Sequence, residues 1–202
     1  SDNRSIVGET LYDYAGRPLI QLLPVPTKST TLAYFDNFNT TVSNPSYIKK
    51  DDYSFDIDTN TCAVNSVTFS NTKGASKYYS VQNDFDDLST GTPGTNTIIN
   101  KNLIPDAELF PYTQTKYKLD NTGRIEAQSG VGKTHALDNG HDTKYLYETP
   151  EQGKLTRLFG TQVGLNTHYK KNVVIDPNGQ VSTSYLDLDG KVIATSLAGN
   201  NP

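Results

Sequence analysis

A four-residue turn pattern, Asp-x-x-Gly, constrains this chain more than anything else in its sequence. It occurs four times, as Asp13-Tyr-Ala-Gly16, Asp120-Asn-Thr-Gly123, Asp176-Pro-Asn-Gly179 and Asp187-Leu-Asp-Gly190. Aspartate at the first position of a type I turn accepts hydrogen bonds from the N–H groups just ahead of it. Glycine at the fourth position takes a positive φ and closes the hairpin as a G1 bulge. Pro177 presets φ at the second position of its turn. Each copy is followed by a long polar or cationic residue (Arg17, Arg124, Gln180 and Lys191) and lies between residues of β type. One copy is an ordinary hairpin. Four alike predict a repeat architecture of antiparallel strand pairs.

Composition agrees with strands that are apolar on one face only. Hydrophobic residues make up 34% of the chain and tyrosines number 13, which suits half-polar sheets better than a thick apolar core. At 202 residues the chain is one large β domain or two small ones. The net charge of −4, with acids and bases interspersed, gives no basic stripe for nucleic acid. No apolar run approaches the ~20 residues of a membrane-spanning helix. The lone Cys62 has no partner for an internal disulfide and reads as a small buried hydrophobe. With no Met anywhere, the chain reads as a processed protein or a piece of a longer one.

Three segments follow from the pattern. Residues 1–27 hold the first hairpin, with strands Ile6–Tyr12 and Arg17–Leu23, after which Pro24 and Pro26 are expected to end strand pairing. Residues 28–111 read as an irregular β/loop insertion, a side lobe. Its candidate strands are Thr31–Phe35, Tyr53–Ile57, Val64–Phe69 and Lys77–Val81, and Ser89–Asn96 is a loop by composition. Residues 112–202 carry the remaining hairpins. In Tyr112–Leu119, Thr113, Thr115, Tyr117 and Leu119 alternate with Gln114, Lys116 and Lys118 as a half-buried strand. The return strand is Arg124–Gln128, and Thr143–Glu148 is another. One short α-helix is expected near 150–159, with Thr149 as N-cap, Pro150 at its first position, Gln152 completing a capping box and Gly160 as its stop. Its apolar stripe is Leu155, Leu158 and Phe159.

Tyr12-Asp-Tyr-Ala-Gly-Arg17 resembles the YD repeats of Rhs proteins, Tc toxin C components and teneurins. From Thr122 to Gly199 the chain is similar to the front part of secreted bacterial Rhs-repeat proteins. The resemblance is carried by Gly123-Arg-Ile125, Gly130-Val-Gly132, Gly140-His141, Thr143-Lys-Tyr145, Thr149-Pro-Glu-Gln152, Arg157-Leu-Phe-Gly160, His168-Tyr-Lys-Lys-Asn172 and Asp176-Pro-Asn-Gly-Gln180. The opening hairpin with Leu23-Pro-Val-Pro26 fits the same group. The resemblance covers about half the chain. It implies an arc of a curved β-sheet shell that commonly encloses a toxin or effector domain, secreted or displayed at the bacterial cell surface. The Gly-Arg-Phe-type core of self-cleaving members is absent, and Asp176-Pro177 lies in an ordinary repeat turn.

Competing chemistry is thin. Ala127-Gln-Ser-Gly130-Val-Gly132-Lys133-Thr134 satisfies a loosened phosphate-loop pattern, and Val173-Val-Ile-Asp176 resembles its companion strand. A true phosphate loop needs a buried strand before it and a helix starting at the Lys-Thr. Here the preceding strand is polar, and Asn139-Gly140 interrupts the chain soon after. No nucleotide site is expected. His135, His141 and His168 lack metal-ligand spacing, with His141-Asp142 a loop feature. Asp51-Asp52, Asp56-Ile-Asp58 and the acids of Asp84–Asp87 lack calcium-loop spacing and read as solvated. No catalytic residue, metal or cofactor is expected. The repeat aspartates and glycines are assigned as turn residues, and Arg17 and Arg124 as cross-strand or carboxylate partners.

The reading is therefore a mainly β, non-enzymatic structural segment. Its partner is the remainder of a longer repeat chain, or another polypeptide, pairing at an open edge along Lys191–Leu197. The alternative is an extracellular β-rich module that binds a glycan or a protein through a tyrosine-rich face.

Overall fold

Three of the four turns close in the same way. The Asp13 N–H donates to the Arg17 carbonyl at 2.9 Å, Asp176 to Gln180 at 3.0 Å and Asp187 to Lys191 at 3.0 Å. In each of the three the fourth-position glycine N–H returns to the aspartate carbonyl. All four glycines have positive φ, between 71° and 81°. These closures fold the chain into successive hairpins, and the hairpins join into one sheet. The structure, a computed structural model, describes residues 5–27, 29–53, 66–83 and 104–198.

The strands are β1 (Ile6–Val7), β2 (Thr10–Tyr12), β3 (Pro18–Leu22), β4 (Val25–Pro26), β5 (Tyr112–Tyr117), β6 (Ile125–Gln128), β7 (Thr143–Glu148), β8 (Lys170–Ile175), β9 (Val181–Leu186) and β10 (Val192–Ala198). Eight form a sheet in the order β10-β9-β8-β7-β6-β5-β3-β2, with every neighbouring pair antiparallel. The protein is mainly β, as expected. Two α-helices lie among the described residues, where one was expected: α1 (Gly74–Tyr78) and α2 (Gln152–Phe159).

Directly opposed residues of an antiparallel pair point to the same side. The register pairs Leu11 with Ile20, Ile20 with Gln114 and Leu22 with Tyr112, so these residues share one face. That face is the core. Leu11, Ile20, Leu22 and Tyr112 cluster with Tyr53, Val67, Phe69, Ala75, Phe110 and Ala136. The described part of 28–111 therefore contributes to the same core as the first hairpin. Further along the sheet the same face carries the buried Val173, Thr183 and Tyr185. There α2 braces it, with Phe159 edge-on to Tyr185 at 6.2 Å.

Several local expectations are corrected. Proline does not end pairing in the first segment. Pro26 pairs with Ile6 in a two-stranded ribbon, where an edge position needs no donor from the ring nitrogen. The first strand is split at Gly8-Glu9 into β1 and β2. In β5 the buried side chains are Tyr112 and Gln114, each at 1% exposure, while Thr113, Thr115 and Tyr117 are half-buried. The inward face was set by Tyr112, one step out of phase with the polarity pattern. Thr31–Phe35 forms no strand, and the Lys77–Val81 segment begins inside α1. Of Val64–Phe69, the described residues 66–69 make one bridge, Phe69 to Thr41. Tyr53 lies in a turn; residues 54–65 and 84–103, which hold Cys62, Asp56, Asp58, Asp84–Asp87 and Ser89–Asn96, are outside the described residues.

The α2 boundary also differs. Glu151 occupies the N-cap position without a side-chain cap bond. Gln152 reaches away, donating to the Gly164 carbonyl and accepting from the Asn166 N–H, each at 2.8 Å. The capping box is replaced by a clasp between the helix start and the loop after it. Of the expected stripe, Leu155 is fully buried, whereas Leu158 and Phe159 remain partly exposed. Gly160 does stop the helix, with φ of 85°.

Candidate functional site

The residues singled out in the sequence sit at the hairpin turns. At the first turn Asp13 is buried, at 6% exposure. Its Oδ1 accepts from the Arg17 N–H at 2.8 Å and its Oδ2 from Arg17 Nε at 2.7 Å. Asp176 Oδ1 accepts from the N–H groups of Asn178 and Gln180, and Asp187 Oδ1 from that of Lys191. In all three the carboxylate satisfies the amides that the reversing backbone leaves unpaired.

The Asp120 turn departs from this pattern. It closes two residues wider, through Lys118 N–H to the Arg124 carbonyl at 2.8 Å. Asn121 takes a left-handed conformation, φ 57°. The Thr122 hydroxyl and N–H then both donate to Asp120 Oδ1, which draws the carboxylate away from the Arg124 amide. Arg124 instead reaches Asp120 Oδ2 through Nη2 at 2.8 Å. The Thr122 hydroxyl, with Arg124 second, holds the Asp120 carboxyl down at about 2. Its folded value lies below the unfolded one, so its contribution to stability is present above the ordinary carboxylate range and fades as pH falls toward 2. An NMR titration of the Asp120 side-chain carboxyl is expected to give a midpoint near that value. In Thr122→Val the midpoint should move up toward the ordinary range; an unmoved midpoint would refute the assignment to Thr122.

The two arginines have a second contact that sequence alone did not reveal. The Arg17 guanidinium lies 4.2 Å from the ring centre of Tyr117, and that of Arg124 lies 4.8 Å from Tyr147. Each hairpin thus sends its cation over a tyrosine in the next strand of the sheet, an attraction of about 0.5–1 kcal/mol at exposed sites. No fixed sequence spacing links either arginine to its tyrosine; strand order brings them together.

The phosphate-loop-like segment is folded for another purpose. The Gly130 N–H donates to the His135 carbonyl at 3.0 Å, and the Gly132 N–H to the Phe110 carbonyl at 2.9 Å. Two amides that would cradle a phosphate are committed to the protein's own backbone. Lys133–His135 is a single 3₁₀ turn ending at Ala136, so no helix begins at Lys133-Thr134. Asp176 serves its hairpin. The loop packs its two histidines edge-on, 5.9 Å apart. His135 Nδ1 lies 3.2 Å from the His141 carbonyl, and His141 Nδ1 lies 2.9 Å from that of Pro177. A carbonyl only accepts, so both nitrogens carry protons.

Asp142 is buried at 3% exposure. Its closest cation is Lys144 Nζ at 3.9 Å, and its carboxylate has no hydrogen-bond partner among the described residues. Sequence reasoning treated it as part of a loop. His168 ends a separate 3₁₀ turn, Asn166–His168. Asp51 accepts from the hydroxyl of Tyr14, in the first turn, and Asp52 from the side chain of the nearby Asn44. Among the described residues no three His, Cys, Asp or Glu side chains gather as metal ligands. No helix among them is long and apolar enough to cross a membrane. No family model matches the chain, and no curated protein matches it.

Proposed function

We propose that the chain is a structural, non-enzymatic segment of a secreted or surface-displayed bacterial repeat shell of the Rhs/YD type, one arc of a wall that encloses a toxin or effector domain. The observation that carries this is the recurrence of one hairpin unit through a single continuous sheet. Strand pairs built on Asp-x-x-Gly turns recur at β2–β3, β5–β6, β8–β9 and β9–β10. Such an array is stabilised chiefly by contacts between neighbouring units.

The terminal strand fits the same reading. Among the described strands β10 pairs with β9 alone, and its Val192, Ile193 and Leu197 are 52%, 40% and 73% exposed. An unprotected edge of this length is a template for another strand, and the following repeat is its natural occupant. The tyrosines agree as well. Tyr117, Tyr145 and Tyr147 are half-buried and engaged across strands, by Arg17, Gln128 and Arg124 respectively. Tyr12, Tyr14, Tyr34 and Tyr47 are exposed, so it is the engaged tyrosines within the sheet that support the wall reading.

The deciding measurement is the length of the native gene product. A product several times longer, with many more Asp-x-x-Gly units, is expected. A reading frame that ends near Pro202 sinks the proposal. In parallel, extending the chain by its native downstream repeats should raise the unfolding midpoint by covering β10.

A further inference from the structure

The sheet face opposite the core has an unusual make-up. The register places Gln21 beside Thr113, Thr115 beside Gln128, and Gln128 beside Thr143, so all five side chains emerge on that side. They line a half-open cavity of about 460 Å³, together with Pro18, Tyr117, Ser129, Gly130 and Pro177. The volume lies within the ~300–1,000 Å³ usual for small-molecule sites. No charged side chain lines it.

We infer that this cavity binds a neutral saccharide, one or two sugar units in size. Sugar hydroxyls donate and accept at once, and carboxamides and hydroxyls are the side chains that answer both roles without charge. Gln21, Thr113 and Thr143 pair with neighbouring strands through their backbones, and among the described residues their side chains make no hydrogen bond, which leaves those polar groups to a ligand. Tyr117 gives an aromatic wall for the C–H surface of a pyranose. It is held in place, with its hydroxyl donating to the Pro18 carbonyl at 2.9 Å and Arg17 against its ring.

The same geometry disfavours the other small-site ligands. An anionic ligand finds no cation in the wall, since Arg17, beside it, is paired with Asp13 at 2.7 Å. An extended peptide would need a free strand edge, yet β3, β5 and β6 are each paired on both sides. The inference does not depend on the chain being part of a longer shell.

The test is an NMR titration of the 202-residue chain with glucose, galactose, mannose, N-acetylglucosamine, maltose and lactose, and with glucuronate and a neutral extended peptide as further arms. At least one neutral sugar is expected to give saturable shifts confined to Gln21, Thr113, Thr115, Gln128, Thr143 and the 129–130 loop. Affinity should fall by about tenfold or more in the Thr113→Val, Thr143→Val double variant, which keeps side-chain shape while removing two hydroxyls. Gln21→Leu, at an exposed position, supplies the same reading if the double variant unfolds. Absence of saturable binding by every neutral sugar, binding of only glucuronate or peptide, or affinity unchanged in the folded variants overturns the inference.

Discussion

Replacing Tyr112 by alanine is expected to destabilise the fold by about 3–5 kcal/mol, the usual range for removing a fully buried aromatic ring. Tyr112 is 1% exposed. Its ring meets Phe69 edge-on at 5.3 Å and lies 6.0 Å from Phe110. Its hydroxyl accepts from the Val67 N–H at 2.9 Å and donates to the Val67 carbonyl at 2.6 Å, and burial pushes the phenol well above its ordinary pKa. One side chain thus plays the part of a strand partner, satisfying both backbone groups of a residue 45 positions away. Tyr112→Phe separates the two roles. It keeps the ring but leaves the Val67 amide and carbonyl unpaired, a cost of about 1–3 kcal/mol. Equilibrium urea unfolding of the three proteins measures both. Equal stability of the Phe variant and the parent would show that the Val67 pairing contributes nothing.

The second large effect is expected at Gly74. Its φ is 64°, and a Cβ there would lie 2.3 Å from Asn39 Oδ1 and 2.5 Å from the Phe38 carbonyl oxygen. Asn39 is the residue that starts α1, its Oδ1 accepting from the Ala75 N–H at 2.7 Å while its Nδ2 donates to Glu9 at 2.7 Å. Gly74→Ala therefore combines left-handed strain, about 1–2 kcal/mol, with loss of a capping bond, about 0.5–2 kcal/mol. A total of roughly 2–4 kcal/mol is expected in chemical denaturation. Gly16→Ala is the control. Its φ is 77°, but nothing lies within 4 Å of its added Cβ, so strain alone applies, about 1–2 kcal/mol. Similar losses at the two sites would mean that Asn39 yields without cost.

These residues also mark where the sequence was legible. The hairpins were readable because their determinants are local: an aspartate, a glycine three residues on, and strand-forming neighbours. The β7 limits, Thr143–Glu148, came from the same kind of signal. α1 was not readable. Lys77-Tyr-Tyr-Ser-Val81 has strand composition, and the helix owes its start to Asn39, a partner 36 residues away. The inward face of β5 was missed for a similar reason. Thr113, Thr115 and Tyr117 look like the better buried set, yet the face was decided by Tyr112 reaching Val67. Gln114 was carried inward with it, leaving both its amide atoms unpartnered within the described protein. Of the turn residues, Asp120 shows how little it takes to alter a local rule. Asn121 and Thr122 rerouted its carboxylate, and the pattern Asp-x-x-Gly does not distinguish the two outcomes. The cavity lining was invisible in sequence because Gln21 and Thr143 come together only through sheet register.

The order of strands across the sheet has a mechanical consequence. The first and last strands of the eight, β2 and β10, lie at opposite borders. Tension applied between them acts across the strands, so the backbone bonds of each hairpin are loaded in sequence and open like a zipper. Bonds loaded in parallel, as in a sheet pulled along its strands, would share the force. A sheet of this strand order yields to a modest steady pull one hairpin at a time.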